Sequence, residues 1–189
     1  PPRPGEWALV HAASGGTGLL LVQMLKRAGL RVVATCSTEE KAALAAEAGA
    51  ERVVLYTRED FVAAAREASG GRGVDVVYDG VGRATFDGSL ASLRPRGLLA
   101  LFGQASGPVP PFDLQRLNAG GSLVVTRPSL AHFTATREEL ELRAGAVFGA
   151  IAEGWLAVRI GVRFPLAAAA DAHRALEERA TTGKVLLVP

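Results

Sequence analysis

Apolar and polar positions along this chain come in blocks, and the period changes from block to block. Trp7 to Ala13 is an apolar run that reads as a strand, and it enters a glycine-rich turn, Ser14 to Gly18. Leu19 to Ala28 carries apolar residues at helical spacing and stops at Gly29. A short apolar strand follows, Arg31 to Thr35, then a helix that opens on the capping box Ser37-Thr38-Glu39-Glu40 and ends at Gly49. The third strand is Arg52 to Leu55. The third helix, Glu59 to Ala68, starts from the looser box Thr57-Arg58-Glu59-Asp60. Gly70, Gly71 and Gly73 break the chain before a fourth strand, Val74 to Tyr78. A helical stretch (Thr85 to Leu93) and a fifth strand (Gly97 to Phe102) come next. A sixth strand, Ser122 to Arg127, follows a polar, proline-containing connection.

Runs such as Val74-Asp75-Val76-Val77 and Leu98-Leu99-Ala100-Leu101 are mostly apolar rather than alternating. That pattern belongs to a parallel sheet with helices on both faces. Strand and helix in alternation imply βαβ units with right-handed crossovers. Residues 1–128 therefore read as an α/β domain, a Rossmann-type doubly wound parallel sheet. The character changes beyond Pro128, so residues 129–189 form a second, C-terminal portion. A long helix runs from Arg137 to Gly154 behind the box Thr136-Arg137-Glu138-Glu139. An alternating strand-like piece (Ala157 to Phe164), an alanine-rich helix (Ala168 to Arg179) and an apolar strand (Lys184 to Val188) follow.

The turn Ala13-Ser14-Gly15-Gly16-Thr17-Gly18 lies between a strand and a helix, where a dinucleotide fingerprint belongs. Gly15 and Gly16 lack Cβ atoms, so backbone N–H groups there can approach a pyrophosphate. The helix beginning near Gly16 adds unpaired donors and the positive end of its dipole. Gly18 lets that helix lie close on the first strand. Ala13 stands in place of the first fingerprint glycine. Read without its surroundings, the turn is also compatible with a plain tight turn. A Walker-type phosphate loop is excluded, because the turn holds neither Lys nor Arg.

The second strand ends Ala34-Thr35-Cys36-Ser37-Thr38, with no carboxylate to accept from a ribose 2′-hydroxyl. A carboxylate there would repel a 2′-phosphate. Its absence, with Lys41 one turn into the next helix, favours NADP(H). Ser37 is placed either to cap that helix or to bond the phosphate. Lys41 is compatible with either a phosphate contact or a solvated surface position.

Composition narrows the rest. Of 189 residues 49% are hydrophobic and 21% charged, which suits a folded domain with a real core. The net charge is +2, but Lys and Arg are mixed with Asp and Glu throughout, which argues against nucleic acid as a partner. No apolar stretch approaches the roughly 20 residues that span a membrane. No signal peptide is visible, and the cytosol is the expected location. The single cysteine, Cys36, excludes an internal disulfide and reads as a packed thiol. His11 in the first strand, His132 in a loop and His173 in a helix share no ligand spacing, so no metal site is expected.

Several stretches together resemble one family. They are His11-Ala12-Ala13-Ser14-Gly15-Gly16-Thr17-Gly18, Gly73-Val74-Asp75-Val76-Val77-Tyr78-Asp79-Gly80-Val81-Gly82, Leu101-Phe102-Gly103, Val125-Thr126-Arg127-Pro128-Ser129-Leu130 and Glu178-Arg179-Ala180-Thr181-Thr182-Gly183-Lys184. The chain resembles the zinc-independent quinone oxidoreductases, the zeta-crystallin group of the medium-chain dehydrogenase/reductase superfamily. The resemblance implies a hydride transfer from NADPH to a quinone or an α,β-unsaturated carbonyl. It implies that Ser14, Gly15, Gly16 and Thr17 hold the pyrophosphate, and that Lys41, Tyr56 and Arg179 contact the 2′-phosphate end beside Ser37. Gly80 falls near the cofactor, and Phe102 and Gly103 beside the nicotinamide. Plainer roles stand next to these: core for Phe102, a strand-end cover for Tyr56, a surface ion pair with Glu177 or Glu178 for Arg179.

The resemblance also implies a homodimer, paired through the edge strand at residues 122–127. The opening Pro1-Pro2-Arg3-Pro4-Gly5-Glu6 looks like the segment just before the family's first Rossmann strand. The GroES-like domain that shapes the substrate site is then expected to be absent, and the portion from residue 129 would lose the surface it docks on. No acid or base stands out as a proton donor, so the catalytic residue is left unknown. Two alternatives remain: a non-catalytic NADPH-binding module, and an enoyl-reductase module of a larger synthase.

Overall fold

The computed structural model describes residues 3–189. Pro1 and Pro2, which begin the segment read as leading into the first strand, lie outside the described residues. Six strands form one parallel sheet. They are β1 (Trp7–Val10), β2 (Arg31–Cys36), β3 (Arg52–Leu55), β4 (Val74–Asp79), β5 (Leu93–Leu101) and β6 (Val124–Thr126), in the order β3-β2-β1-β4-β5-β6. This is the doubly wound arrangement expected from the alternation of strand and helix.

Both faces of the sheet are covered, which is why its strands are apolar throughout. Odd positions of β1 join Val33, Val77, Phe86 and Leu99 under α3 (Phe61–Ala68) and α4 (Phe86–Ser92). Even positions join Val22, Val32 and Ala34 under α1 (Gly18–Arg27) and α2 (Glu39–Glu47). Each such side chain, fully buried, contributes roughly 1.5–3 kcal/mol.

Several expected boundaries move. β1 stops at Val10, because the chain turns at His11 and Ala12 takes φ +50°; His11 therefore follows the strand instead of lying in it. Helix α1 starts at Gly18 rather than near Gly16. The cap of α2 is Thr38, whose hydroxyl accepts from Lys41 N at 3.3 Å, so Ser37 is not the cap. The cap of α3 is Asp60, accepting from Val62 N at 2.8 Å, and the looser box at Thr57 does not form. Glu59 turns back instead to Arg52 and to Leu55 N. β5 begins four residues early, through Arg94-Pro95-Arg96, with a register shift against β4.

Two short helices were not foreseen, α5 (Gln115–Ala119) and α6 (Leu130–Phe133), and His132 lies in the latter rather than in a loop. α7 (Arg137–Ala152) is capped as expected by Thr136, which accepts from Glu139 N at 3.2 Å. β7 (Ile160–Pro165), a 3-10 turn at Leu166–Ala168, α8 (Ala169–Glu177) and β8 (Lys184–Val188) follow, with β7 and β8 paired in parallel. This C-terminal portion is tied to the sheet domain at several places, two of them through the backbone of Ala157 and Gly183. Gln23 on α1 exchanges hydrogen bonds with the backbone of Ala157, at 2.8 and 3.0 Å. Gly183 donates to Ser14 O at 3.0 Å and forms a parallel bridge with Gly15.

Candidate functional site

Right-handed parallel wrapping leaves a crevice beyond the C-terminal ends of the strands, where connections leave to opposite faces. Here it is a cavity of about 430 Å³. Seven of the residues singled out from sequence line it: Ser14, Gly15, Gly16, Ser37, Lys41, Tyr56 and Arg179.

The glycine turn is shaped by close approach. A Cβ on Gly15 would stand 3.3 Å from Ala12 O, and one on Gly16 would meet Lys184 Cδ at 2.6 Å and Gly183 O at 3.0 Å. A Cβ on Gly18 would overlap the Ala12 carbonyl and lie 2.7 Å from Ala13 Cα, so the tight contact is with the turn itself, just past β1. The N–H groups of Thr17 and Gly18 have no acceptor among the described residues. A helix start with free donors suits an anion. Thr17 is exposed at the head of α1 and does not line the cavity.

At the far side, the end of β2 presents Ser37, released from capping, next to Lys41. The Lys41 ammonium is not simply solvated: it donates to Arg179 O at 2.5 Å and so joins α2 to the loop after α8. Arg179 itself sits at φ +57°, exposed, and makes no salt bridge among the described residues, so the ion pair with Glu177 or Glu178 is not formed. Tyr56, 41% exposed, stands at the end of β3 on the rim. Among the described residues, no carboxylate lines the cavity. Cys36 is buried and lines it too; burial pushes its thiol up, against hydrogen bonding from Ser14 and the charge of Lys41.

Gly80, Phe102 and Gly103 form a separate knot at the ends of β4 and β5. A Cβ on Gly80 would lie 2.8 Å from the Phe102 ring, and one on Gly103 would lie 2.5 Å from Gly80 O. They do not line the cavity, but their neighbours Val81 and Ala105 do.

Sequence reasoning missed the floor of the site. His11, Thr35, Phe61 and Thr85 line the cavity, with Asp79 and Ser89 behind them in one buried hydrogen-bonded group. Burial pushes the His11 imidazole down to about 4, against the opposing pull of the Asp79 charge. The signal available was His11 in the turn motif and the polar Asp79 ending an apolar strand. Their meeting depends on strand order, which no local pattern carries. Among the described residues, no group of three or more His, Cys, Asp or Glu is placed to hold a metal, and no helix is long and apolar enough to cross a membrane.

Residues 16–142 match the family described as zinc-binding dehydrogenase. A mycobacterial protein solved as a complex with NADPH is 54% identical over all of this chain and 58% of its own, with a TM-score of 0.96. The Escherichia coli quinone oxidoreductase, also solved with NADPH, is 45% identical over 99% of this chain and 58% of its own, with a TM-score of 0.95. A Burkholderia 2-haloacrylate reductase is 41% identical over 99% of this chain and 56% of its own length. The present chain thus spans little more than half the length of these relatives. Fold, glycine turn and similarity over nearly the whole sequence agree that the chain belongs to the zinc-binding dehydrogenase family.

Proposed function

We propose that the chain binds NADP(H) in this cavity, as the cofactor-holding part of an oxidoreductase that reduces a quinone or an α,β-unsaturated carbonyl. The observation that carries the reading is the convergence of Lys41, Arg179 and Ser37 with the turn glycines Gly15 and Gly16 on a cavity whose described lining holds no carboxylate. The residues fit the cofactor: the glycines leave a cradle that side chains would fill, and the cations Lys41 and Arg179 on the same cavity suit a 2′-phosphate. Two of the relatives described above were solved with NADPH, which supports the same reading.

Bound NADPH would supply the hydride. The chain's own residues bind and orient. The glycine turn would hold the pyrophosphate. Lys41 and Arg179 would hold the 2′-phosphate and discriminate against NADH. Phe102, Gly103 and Gly80 would set the surface beside the reacting end. No cavity residue is assigned as a proton donor; His11 is neutral and both its nitrogens are engaged.

We further propose that the apolar surface exposed after residue 129, including Leu142 and Phe148 (71% and 68% exposed), is covered in complete family members by the part of their length that this chain does not span. A homodimer paired along β6 completes the reading.

Calorimetric titration with NADPH and NADH tests it, followed by an assay of the same sample with a small quinone. NADPH should bind more tightly than NADH, and Lys41→Ala or Arg179→Ala should each weaken NADPH about ten-fold, the loss of one charge-assisted hydrogen bond. Equal affinity for the two cofactors would remove the NADP(H) assignment. Binding without quinone turnover would leave a cofactor-binding module.

A further inference from the structure

Beneath the cavity lies a polar group that none of the cofactor contacts above uses. His11 is 3% exposed and Asp79 is fully buried. With a neutral imidazole, counting hydrogens fixes each direction from Thr35 through His11 and Ser89 to Asp79. The Asp79 carboxylate accepts from Val81 N at 2.8 Å, Gly82 N at 3.0 Å, Thr85 Oγ1 at 2.7 Å and Ser89 Oγ at 2.8 Å. Ser89 thereby commits its one hydroxyl proton to Asp79, so its oxygen must accept from His11 Nε2, 3.0 Å away. Nε2 then carries the ring proton. Nδ1 is left as an acceptor, and Thr35 Oγ1 donates to it at 3.0 Å. The result is a chain of donors running one way, from Thr35 to His11 to Ser89 to Asp79.

That chain crosses the sheet. Thr35 is on β2, His11 follows β1, Asp79 ends β4, and Ser89 is on α4. Phe61 on α3 closes the group from the side, with its ring edge-on to the imidazole at 4.9 Å. The next residue along, Ala12 at φ +50°, turns the backbone into the glycine turn and lines the cavity. The same Asp79 that ends the chain holds the N–H groups of Val81 and Gly82, and Val81 lines the opposite wall.

We propose that His11 is a positioning residue for the dinucleotide: held as the Nε2–H tautomer between Thr35 and the Ser89–Asp79 pair, it fixes the spacing of the β1, β2 and β4 ends with α4, and so sets cofactor affinity. This rests on the NADP(H) reading of the cavity. The role depends on hydrogen-bond direction and not on the bulk of the ring. A phenylalanine would fill the space and leave the Thr35 hydroxyl without its acceptor. A glutamine can donate toward Ser89 and accept from Thr35 in the same order as His11.

The test combines ¹⁵N imidazole NMR on the 189-residue chain with NADPH titrations of His11→Phe, His11→Gln and Thr35→Val. The expected spectrum shows a neutral His11 protonated on Nε2, and a protonated Nδ1 overturns the proposal. NADPH affinity should fall about ten-fold in His11→Phe and return to within about three-fold of wild type in His11→Gln. Wild-type affinity in a folded His11→Phe overturns it, as does failure of glutamine to rescue a folded protein. Where His11→Phe does not fold, Thr35→Val decides: a weakened Kd supports the role and an unchanged one removes it. If the wild-type chain binds no NADPH while His11 shows the Nε2–H signal, the cofactor reading has failed and the positioning role falls with it, though the hydrogen-bond chain stands.

Discussion

Two glycines set the range of what one methyl group does in this molecule. At Gly18 an added Cβ meets backbone on two sides, the Ala12 carbonyl and Ala13 Cα, and neither can swing away. Gly18→Ala should cost about 2–4 kcal/mol in urea denaturation. Gly145, exposed within α7, has open space around its Cβ position, and Gly145→Ala should stabilise by about 0.5–1 kcal/mol in the same measurement. His11 gives a pH dependence. Its imidazole takes a proton near 6.5 when unfolded and near 4 in the folded chain, because burial opposes the charge. Between these values the unfolded state binds the extra proton, so stability falls as pH drops, by up to about 3 kcal/mol at the lower end. The difference between wild type and His11→Phe in urea midpoints at pH 7 and pH 4.5 isolates this contribution; an equal loss in both proteins would rule it out. At this scale the places of the turn glycines and Lys41 beside the cavity were legible, because they follow from neighbours in sequence. The partners of His11 were not, since Thr35, Ser89 and Asp79 reach it only through the sheet.

Elements were legible where a run of apolar residues had glycine or a cap at its ends. β3 and β8 match the expected bounds residue for residue. β5 did not, because Arg94-Pro95-Arg96 has the composition of a turn. The strand continues through it by way of a register shift, with Arg94 Nε bonded to Asp75 at 2.5 Å and Arg96 at φ +62°. Ser37 and Thr38 are both chemically fit to cap α2, and only the backbone geometry decides for Thr38. The β7–β8 pair is the element on which the roof of the cavity depends. A Cβ on Gly161 would overlap the Thr182 carbonyl, so Gly161→Ala should separate β7 from the Thr182–Lys184 strand start. The six-stranded sheet shares no residue with that contact. Circular dichroism should therefore stay near wild type while NADPH affinity drops about ten-fold or more. Loss of the whole fold would show instead that the two sheets are one cooperative unit.

For the molecule as a whole, β6 is an open sheet edge and Val124 on it is half-exposed. Pairing would satisfy that edge and a charge would blunt it. Sedimentation should show a dimer for the wild-type chain and a monomer for Val124→Lys; a monomeric wild type ends the dimer proposal. The doubly wound parallel sheet was legible from the sequence because alternating strands and helices leave few topologies, but its strand order came only with the structure. The return of the C-terminal portion was not, because the bridge between Gly15 and Gly183 joins residues nearly the length of the chain apart and no pattern marks either as the other's partner. That bridge has a consequence for synthesis. Domains fold largely in the order they leave the ribosome, and all six sheet strands emerge before Gly183. A nascent chain can thus build its sheet while the roof over its glycine turn is still missing. Until Gly183 has emerged, a half-made copy should be unable to sequester the cellular pool of the cofactor, and ligand rescue of folding should begin only once that residue is in place.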